Sequence, residues 1–203
     1  MLRIHHARRA RSVRVVWTLD ELGVPYELVP LEFTPEALNS PAYRKLHPLG
    51  LVPVVEDRGR VMFESGAIVQ YILEEHDQDG RLAPPPRTAL RPRYLQWFHY
   101  GETELARHVS EIVRNRFGKT PERRIEAIVV ESRQRLRASL EVVDSELAGN
   151  PYILGEDFTA ADIMVSYGIT MARIIGELPK DLSNVGAYLE RLKGRPAYAR
   201  AWA

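Results

Sequence analysis

The chain of 203 residues contains no cysteine. Disulfides, thiolate metal sites and a cysteine nucleophile are therefore excluded. Any thiol chemistry must use sulfur that arrives on a ligand. Neither sign of charge is in surplus: 28 basic residues stand against 27 acidic ones, a net charge of +1. That balance gives no global reason to expect a nucleic-acid or membrane partner. No apolar run approaches a membrane span. The start, Met1-Leu2-Arg3-Ile4-His5-His6, lacks the apolar core of a signal peptide, so a cytoplasmic location is expected. There is no Gly-rich phosphate loop and no internal repeat. His99 and His108 have no metal-like partners at helical spacing, and no metal is expected. What is present is an ordinary globular composition, 45% apolar, in a length that suits one large domain or two small ones.

The most informative stretch runs from Leu51 to Ala67. Leu51-Val52-Pro53-Val54-Val55-Glu56-Asp57 is followed by a turn at Arg58-Gly59, then Val61-Met62-Phe63, then Glu64-Ser65-Gly66-Ala67. Two short strands around a Gly-containing turn predict a hairpin. A helical pattern begins at Ser65 and continues to about Glu75. Pro53 precedes the first strand, where its missing N–H costs no ladder bond. A Val-Pro bond there is a candidate cis peptide, turning the chain and exposing the Val52 backbone. An extended peptide could pair with that backbone as an added strand. Ser65 can offer a hydroxyl and free helix-start N–H groups to a carboxylate. Glu64 can hold an ammonium. The set suits a small zwitterionic peptide better than a phosphate.

Around this stretch the first third alternates strands and helices. Leu2–His5 and Tyr26–Leu31 read as strands. Ser12–Leu22 reads as a helix with Val13, Val16, Trp17 and Leu19–Leu22 on its buried side, capped by Gly23 and stopped by Pro25. Ala42–Leu46 is a short helix. The order β-α-β-α-β-β-α implies one parallel pair and an antiparallel hairpin, as a thioredoxin-like domain requires. Residues 78–88, with Asp79-Gly80 and Pro84-Pro85-Pro86, form a stiffened linker between residues 1–77 and 89–203. No strand pattern follows. Helices are expected from Ala89 to about Arg116 (bent), from Pro121 to Leu147, from Thr159 to about Ile175, from Val185 to Leu192 and from Pro196 to Trp202. Thr159 with Asp162 reads as a capping box, and Phe158 with Ile163 as a hydrophobic staple, a folding signal rather than a catalytic one.

Three segments together resemble the soluble glutathione transferases, over nearly the whole chain. His47-Pro48-Leu49-Gly50-Leu51-Val52-Pro53-Val54-Val55-Glu56-Asp57 resembles the loop before the family's cis-proline. Glu64-Ser65-Gly66-Ala67-Ile68 is similar to its γ-glutamyl site, and Phe158-Thr159-Ala160-Ala161-Asp162 to its C-terminal capping motif. The resemblance implies an α/β thioredoxin-like domain (βαβαββα) followed by an all-α helical domain. It implies glutathione as co-substrate, bound by Val52, Pro53, Glu64, Ser65 and His47. It also implies a second, electrophilic substrate between the domains against Tyr94, Trp97, Tyr100 and Glu104. A homodimer is expected, with Phe63, Gln70 and Glu74 as contacts.

Glutathione's thiol has a pKa of about 8.5, and lowering it by two units needs about 2.7 kcal/mol. The family's donor to sulfur lies in the loop after the first strand, here His5-His6-Ala7-Arg8-Arg9-Ala10-Arg11-Ser12-Val13-Arg14. In serine-type relatives the catalytic serine stands four residues before the arginine matching Arg14. That position is Ala10. Ser12 is the loop's only hydroxyl, readable as thiol donor or as helix cap. Arg9 and Arg11 could hold a thiolate by charge, with His5 and His6 as alternatives. Leu51 also departs from the lysine or glutamine that reaches the glycyl carboxylate in relatives; Lys45 or His47 would have to serve. The expected activity is conjugation of glutathione to small electrophiles, with glutathione-dependent peroxidase activity on the side. The alternative is a binding or regulatory protein of the same fold with little turnover.

Overall fold

The computed structural model describes residues 1–203 and divides them into two units. The first comprises Met1–Leu82 together with Lys193–Ala203; the second is Ala83–Leu192.

In the first unit, β1 (Leu2–His6), α1 (Ser12–Leu22) and β2 (Tyr26–Pro30) are followed by α2 (Pro35–Leu38) and α3 (Pro41–Leu46). Then come β3 (Val54–Asp57), β4 (Arg60–Phe63) and α4 (Ser65–His76). The sheet order is β2-β1-β3-β4, with β1 parallel to β2 and antiparallel to β3. This is the expected thioredoxin-like order. Helix α1 has the predicted bounds and ends on Gly23 in the left-handed region, which glycine adopts without steric cost. Its apolar side, with Val13, Val16, Trp17 and Leu19, is buried, as are Ile4, Val54 and Val55 of the sheet and Ile68 and Ile72 of α4. Helix α2 was not anticipated, although Thr34 caps it by accepting from the Ala37 N–H and Pro35 opens it.

The chain end departs from the expected 1–77 and 89–203 division. Helix α10 (Pro196–Trp202) packs on α1 and so belongs to the first unit. The Tyr198 ring meets Trp17 edge-on at 5.0 Å, and the Arg195 guanidinium donates twice to the Glu21 carboxylate, at 2.7 Å each.

The second unit is helical throughout. It holds α5 (Arg91–Tyr100), a π-helical stretch (Gly101–Ala106), α6 (Arg107–Arg116), a 3-10 turn (Pro121–Arg123), α7 (Glu126–Glu146), α8 (Ala160–Ile174) and α9 (Ser183–Lys193). The long helix expected from Ala89 to about Arg116 is divided by the π-helical stretch. Gly101, its first residue, lies so close to α8 that a Cβ would be 2.4 Å from the Met164 main chain. Buried Asp162 accepts from the Thr159 N–H and hydroxyl, the Ile153 N–H and the Tyr188 hydroxyl, anchoring the start of α8. No helix is long and apolar enough to cross a membrane, and no cluster of acidic and histidine side chains is arranged to hold a metal.

Candidate functional site

Strand register gathers the predicted residues at one end of the sheet. Val54 pairs with Phe63 across the β3–β4 hairpin, so Val52-Pro53 and Glu64-Ser65 lie at the same end. His5 pairs with Val54 across β1 and β3, which sets His6 and Ala7 beside Pro53 and Val52. The Val52–Pro53 bond is cis. The Val52 side chain packs against Ala7 and Ala10, while its N–H and C=O pair with no other group of the chain. The loop before it is held from two sides. The Tyr43 hydroxyl donates to the Leu51 carbonyl at 2.6 Å, and burial pushes this phenol up to about 12, so it remains a donor. His47 is buried, and its Nδ1 accepts from the Leu49 N–H at 3.1 Å. Burial lowers the His47 pKa, against the pull of the Glu64 charge. The neutral ring therefore carries its proton on Nε2.

Ser65 opens α4, and Glu64 stands at the cap position with φ 74°, a left-handed conformation that non-glycine residues adopt at a cost of about 1–3 kcal/mol. Glu64 offers no side-chain cap; its carbonyl accepts from Ile68, leaving the N–H groups of Ser65, Gly66 and Ala67 without intrahelical partners. Such a helix start attracts an anion. Beneath it Arg14, fully buried in α1, donates from Nη1 to Ser65 Oγ at 3.1 Å. With one lone pair taken by Arg14, the Ser65 hydroxyl is left to donate its own proton. In the sequence Arg14 stands only as a reference position for Ala10; the signal for its burial is its place inside the run Val13, Val15, Val16, Trp17.

Ser12 corrects an expectation. It is fully buried, and its hydroxyl is saturated inside the loop. Ser12 Oγ donates to the Ala7 carbonyl at 3.2 Å, accepts from the Ala7 N–H at 3.3 Å and lies 2.9 Å from His6 Nδ1. A hydroxyl has one proton and two lone pairs, so nothing remains for an incoming sulfur. Nor is Ser12 the helix cap; Arg11 occupies that position. Arg9 is exposed at φ 59° and Arg11 is partly buried beside the helix start. His5 is committed to Glu56, with Nε2 2.9 Å from Oε1.

In the helical unit, Tyr94 and Trp97 are buried and belong to packing rather than to the expected pocket wall. Their aromatic spacing marks the inward face of α5. Tyr100 is partly buried and donates to the Ser139 carbonyl at 3.0 Å; Glu104, in the π-helical stretch, is exposed.

Comparison with known proteins bears on this arrangement. Residues 2–74 match the family model described as the glutathione S-transferase N-terminal domain, and residues 103–191 the glutathione S-transferase C-terminal domain. A protein named glutathione S-transferase 3 from Schizosaccharomyces pombe is 30% identical over 97% of this chain and 85% of its own length. A glutathione S-transferase 3 from Zea mays is 30% identical over 93% and 86%. The crystal structure of a theta class glutathione S-transferase from Xanthomonas axonopodis pv. citri, with glutathione bound, is 26% identical. It superposes with a TM-score of 0.81 over 98% of this chain and 96% of that one.

Proposed function

Because the chain belongs to the glutathione S-transferase family, we propose that it binds glutathione in its first unit and transfers the thiolate to small electrophiles. The observation that carries the reading is the Arg14-held Ser65 at the start of α4, sharing one end of the sheet with the unpaired Val52 backbone. Val52 pairs with the cysteinyl segment as an added strand would. Ser65 Oγ and the first N–H groups of α4 receive the γ-glutamyl carboxylate, and Glu64 receives its ammonium. The His47 Nε2–H donates to the glycyl carboxylate, in place of the side chain that Leu51 lacks. Arg9 and Arg11 add positive potential near the sulfur, and so does the N-terminus of α1. Tyr100 and Glu104 are the remaining candidates for contact with the electrophile. With a hydroperoxide in place of the electrophile, the same thiolate gives a peroxidase side activity. The working form is a cytoplasmic homodimer with the exposed Phe63 and the Gln70 and Glu74 face of α4 as contacts, beside the exposed Leu49 and Leu51.

A second reading, a glutathione-binding protein with little turnover, is favoured by Ala10 and by the engagement of the Ser12 hydroxyl. An assay with glutathione and an activated aromatic halide separates the two. A rate above the uncatalysed background supports the transferase; binding without turnover supports the alternative.

A further inference from the structure

We propose that His6 is the catalytic base of the transfer: its Nε2 takes the thiol proton while Ser12 fixes the ring through Nδ1. The inference rests on the glutathione reading above, and the register supplies the location. His6 is the last residue of β1, beside Pro53, and the next residue, Ala7, packs against Val52. A cysteinyl group paired with the Val52 backbone therefore brings its sulfur to the turn between β1 and α1, where His6 stands.

The tautomer depends on where the single Ser12 proton goes. In the proposed arrangement it goes to the Ala7 carbonyl at 3.2 Å. One lone pair receives the Ala7 N–H at 3.3 Å. The second lone pair then faces His6 Nδ1 at 2.9 Å, and Nδ1 carries the ring hydrogen. A neutral imidazole protonated on Nδ1 has its lone pair on Nε2, and no group of the chain hydrogen-bonds to His6 Nε2. Burial lowers the His6 pKa, so the ring is unprotonated at neutral pH and ready to accept.

Serine, histidine and sulfur then form an orienter, a base and a nucleophile in series. The S–H bond breaks, its electron pair stays on sulfur and the proton moves to Nε2. The imidazolium and thiolate pair until sulfur attacks, since a neighbouring His⁺ strongly favours a thiolate. The new S–C bond forms as the leaving group departs with its electron pair, and Nε2 returns its proton to solvent. Other groups in the loop are disqualified: Ala10 has no hydroxyl, Ser12 is saturated, and His5 Nε2 is held by Glu56. Ser12 acts as a positioning residue, because it reaches the sulfur only through His6.

The test is His6→Asn, whose amide N–H can replace Nδ1–H toward Ser12 while leaving no base at Nε2. The folded variant should bind glutathione with affinity within about twofold of the parent. Its kcat/KM should fall about 100-fold, within the range of a lost general base. The ultraviolet thiolate titration of bound glutathione should shift upward by about one unit or more. A folded His6→Asn variant with unchanged kcat/KM and unchanged titration overturns the proposal. Should the variant not fold, nitrogen NMR of the parent decides. The proposal expects the Nδ1–H tautomer of His6, an Nε2 resonance that moves when glutathione is added, and loss of the tautomer preference in Ser12→Ala. An Nε2–H tautomer, or no response to glutathione that calorimetry shows to be bound, contradicts it. Absence of calorimetric binding by the parent would instead remove the glutathione reading beneath it.

Discussion

Arg14 Nη1 donates to Ser65 Oγ at 3.1 Å, joining the buried side of α1 to the first residue of α4 across 51 positions of sequence. The contact gives a fully buried arginine a role in the site and fixes the direction of the Ser65 hydroxyl. Arg14→Met keeps much of the side-chain volume but removes the donor. It should lower stability by about 1–3 kcal/mol and also weaken glutathione binding. Urea unfolding followed by calorimetry on the folded variant measures both. Full stability together with full affinity would remove Arg14 from the account.

Ser12 is expected to act on the loop before it acts on chemistry. Ser12→Ala leaves the Ala7 N–H without its partner in a buried turn, at a cost of about 1–3 kcal/mol, while the Ala7 carbonyl keeps the Ala10 N–H at 3.2 Å. Ala10→Ser places a hydroxyl beside Ala7 and Val52. A charge-assisted hydrogen bond from it to the thiolate should raise the rate about tenfold, as about 1.5–3 kcal/mol allows. A rate unchanged by Ala10→Ser would show that position 10 does not reach sulfur.

Much of this was legible in the sequence where the signal is local. Helix α1 has the bounds that its apolar spacing and Gly23 indicate, and α10 runs from Pro196 to Trp202 as read. The hairpin around Arg58-Gly59 and the Asp162 anchor of α8 are local as well. What escaped depends on contacts between distant residues. Nothing near Tyr198 announces that it meets Trp17, so the return of the chain end to the first unit was not readable. A lone serine at a helix start looks like a cap or a donor; only the folded loop shows Ala7 and His6 occupying it. Tyr94 and Trp97 carry the same spacing whether a helix face lines a pocket or a core, and their burial selects the core.

Gly101 should tolerate no side chain. Its Cβ would press on the Met164 main chain at 2.4 Å, which cannot turn aside as a flexible side chain would. Gly101→Ala is expected to destabilise by about 1–3 kcal/mol or to straighten the π-helical stretch. Thermal unfolding tests this; an unchanged midpoint would show that the helices separate freely.

Acid should weaken the first unit through two histidines. Burial holds His6 and His47 below the ordinary value of 6.5. Below about pH 6.5 the unfolded chain therefore binds protons that the folded chain resists. Their contribution is complete above that pH and is lost as pH falls toward the folded values, at up to about 1.4 kcal/mol per unit for each group. Urea midpoints at pH 8 and pH 5.5 should show the fall, and His47→Gln should make it shallower. An identical fall in His47→Gln would exclude that histidine.

The central claim is that Ser65, held by Arg14, is part of a glutathione site. Titration calorimetry of glutathione into the protein and into Ser65→Ala tests it most directly. The account predicts saturable one-to-one binding to the parent. In Ser65→Ala the affinity should be weaker by about 5- to 150-fold, the equivalent of losing about 1–3 kcal/mol from a buried, charge-assisted hydrogen bond. Binding of equal affinity to both proteins, or none to the folded parent, would contradict it.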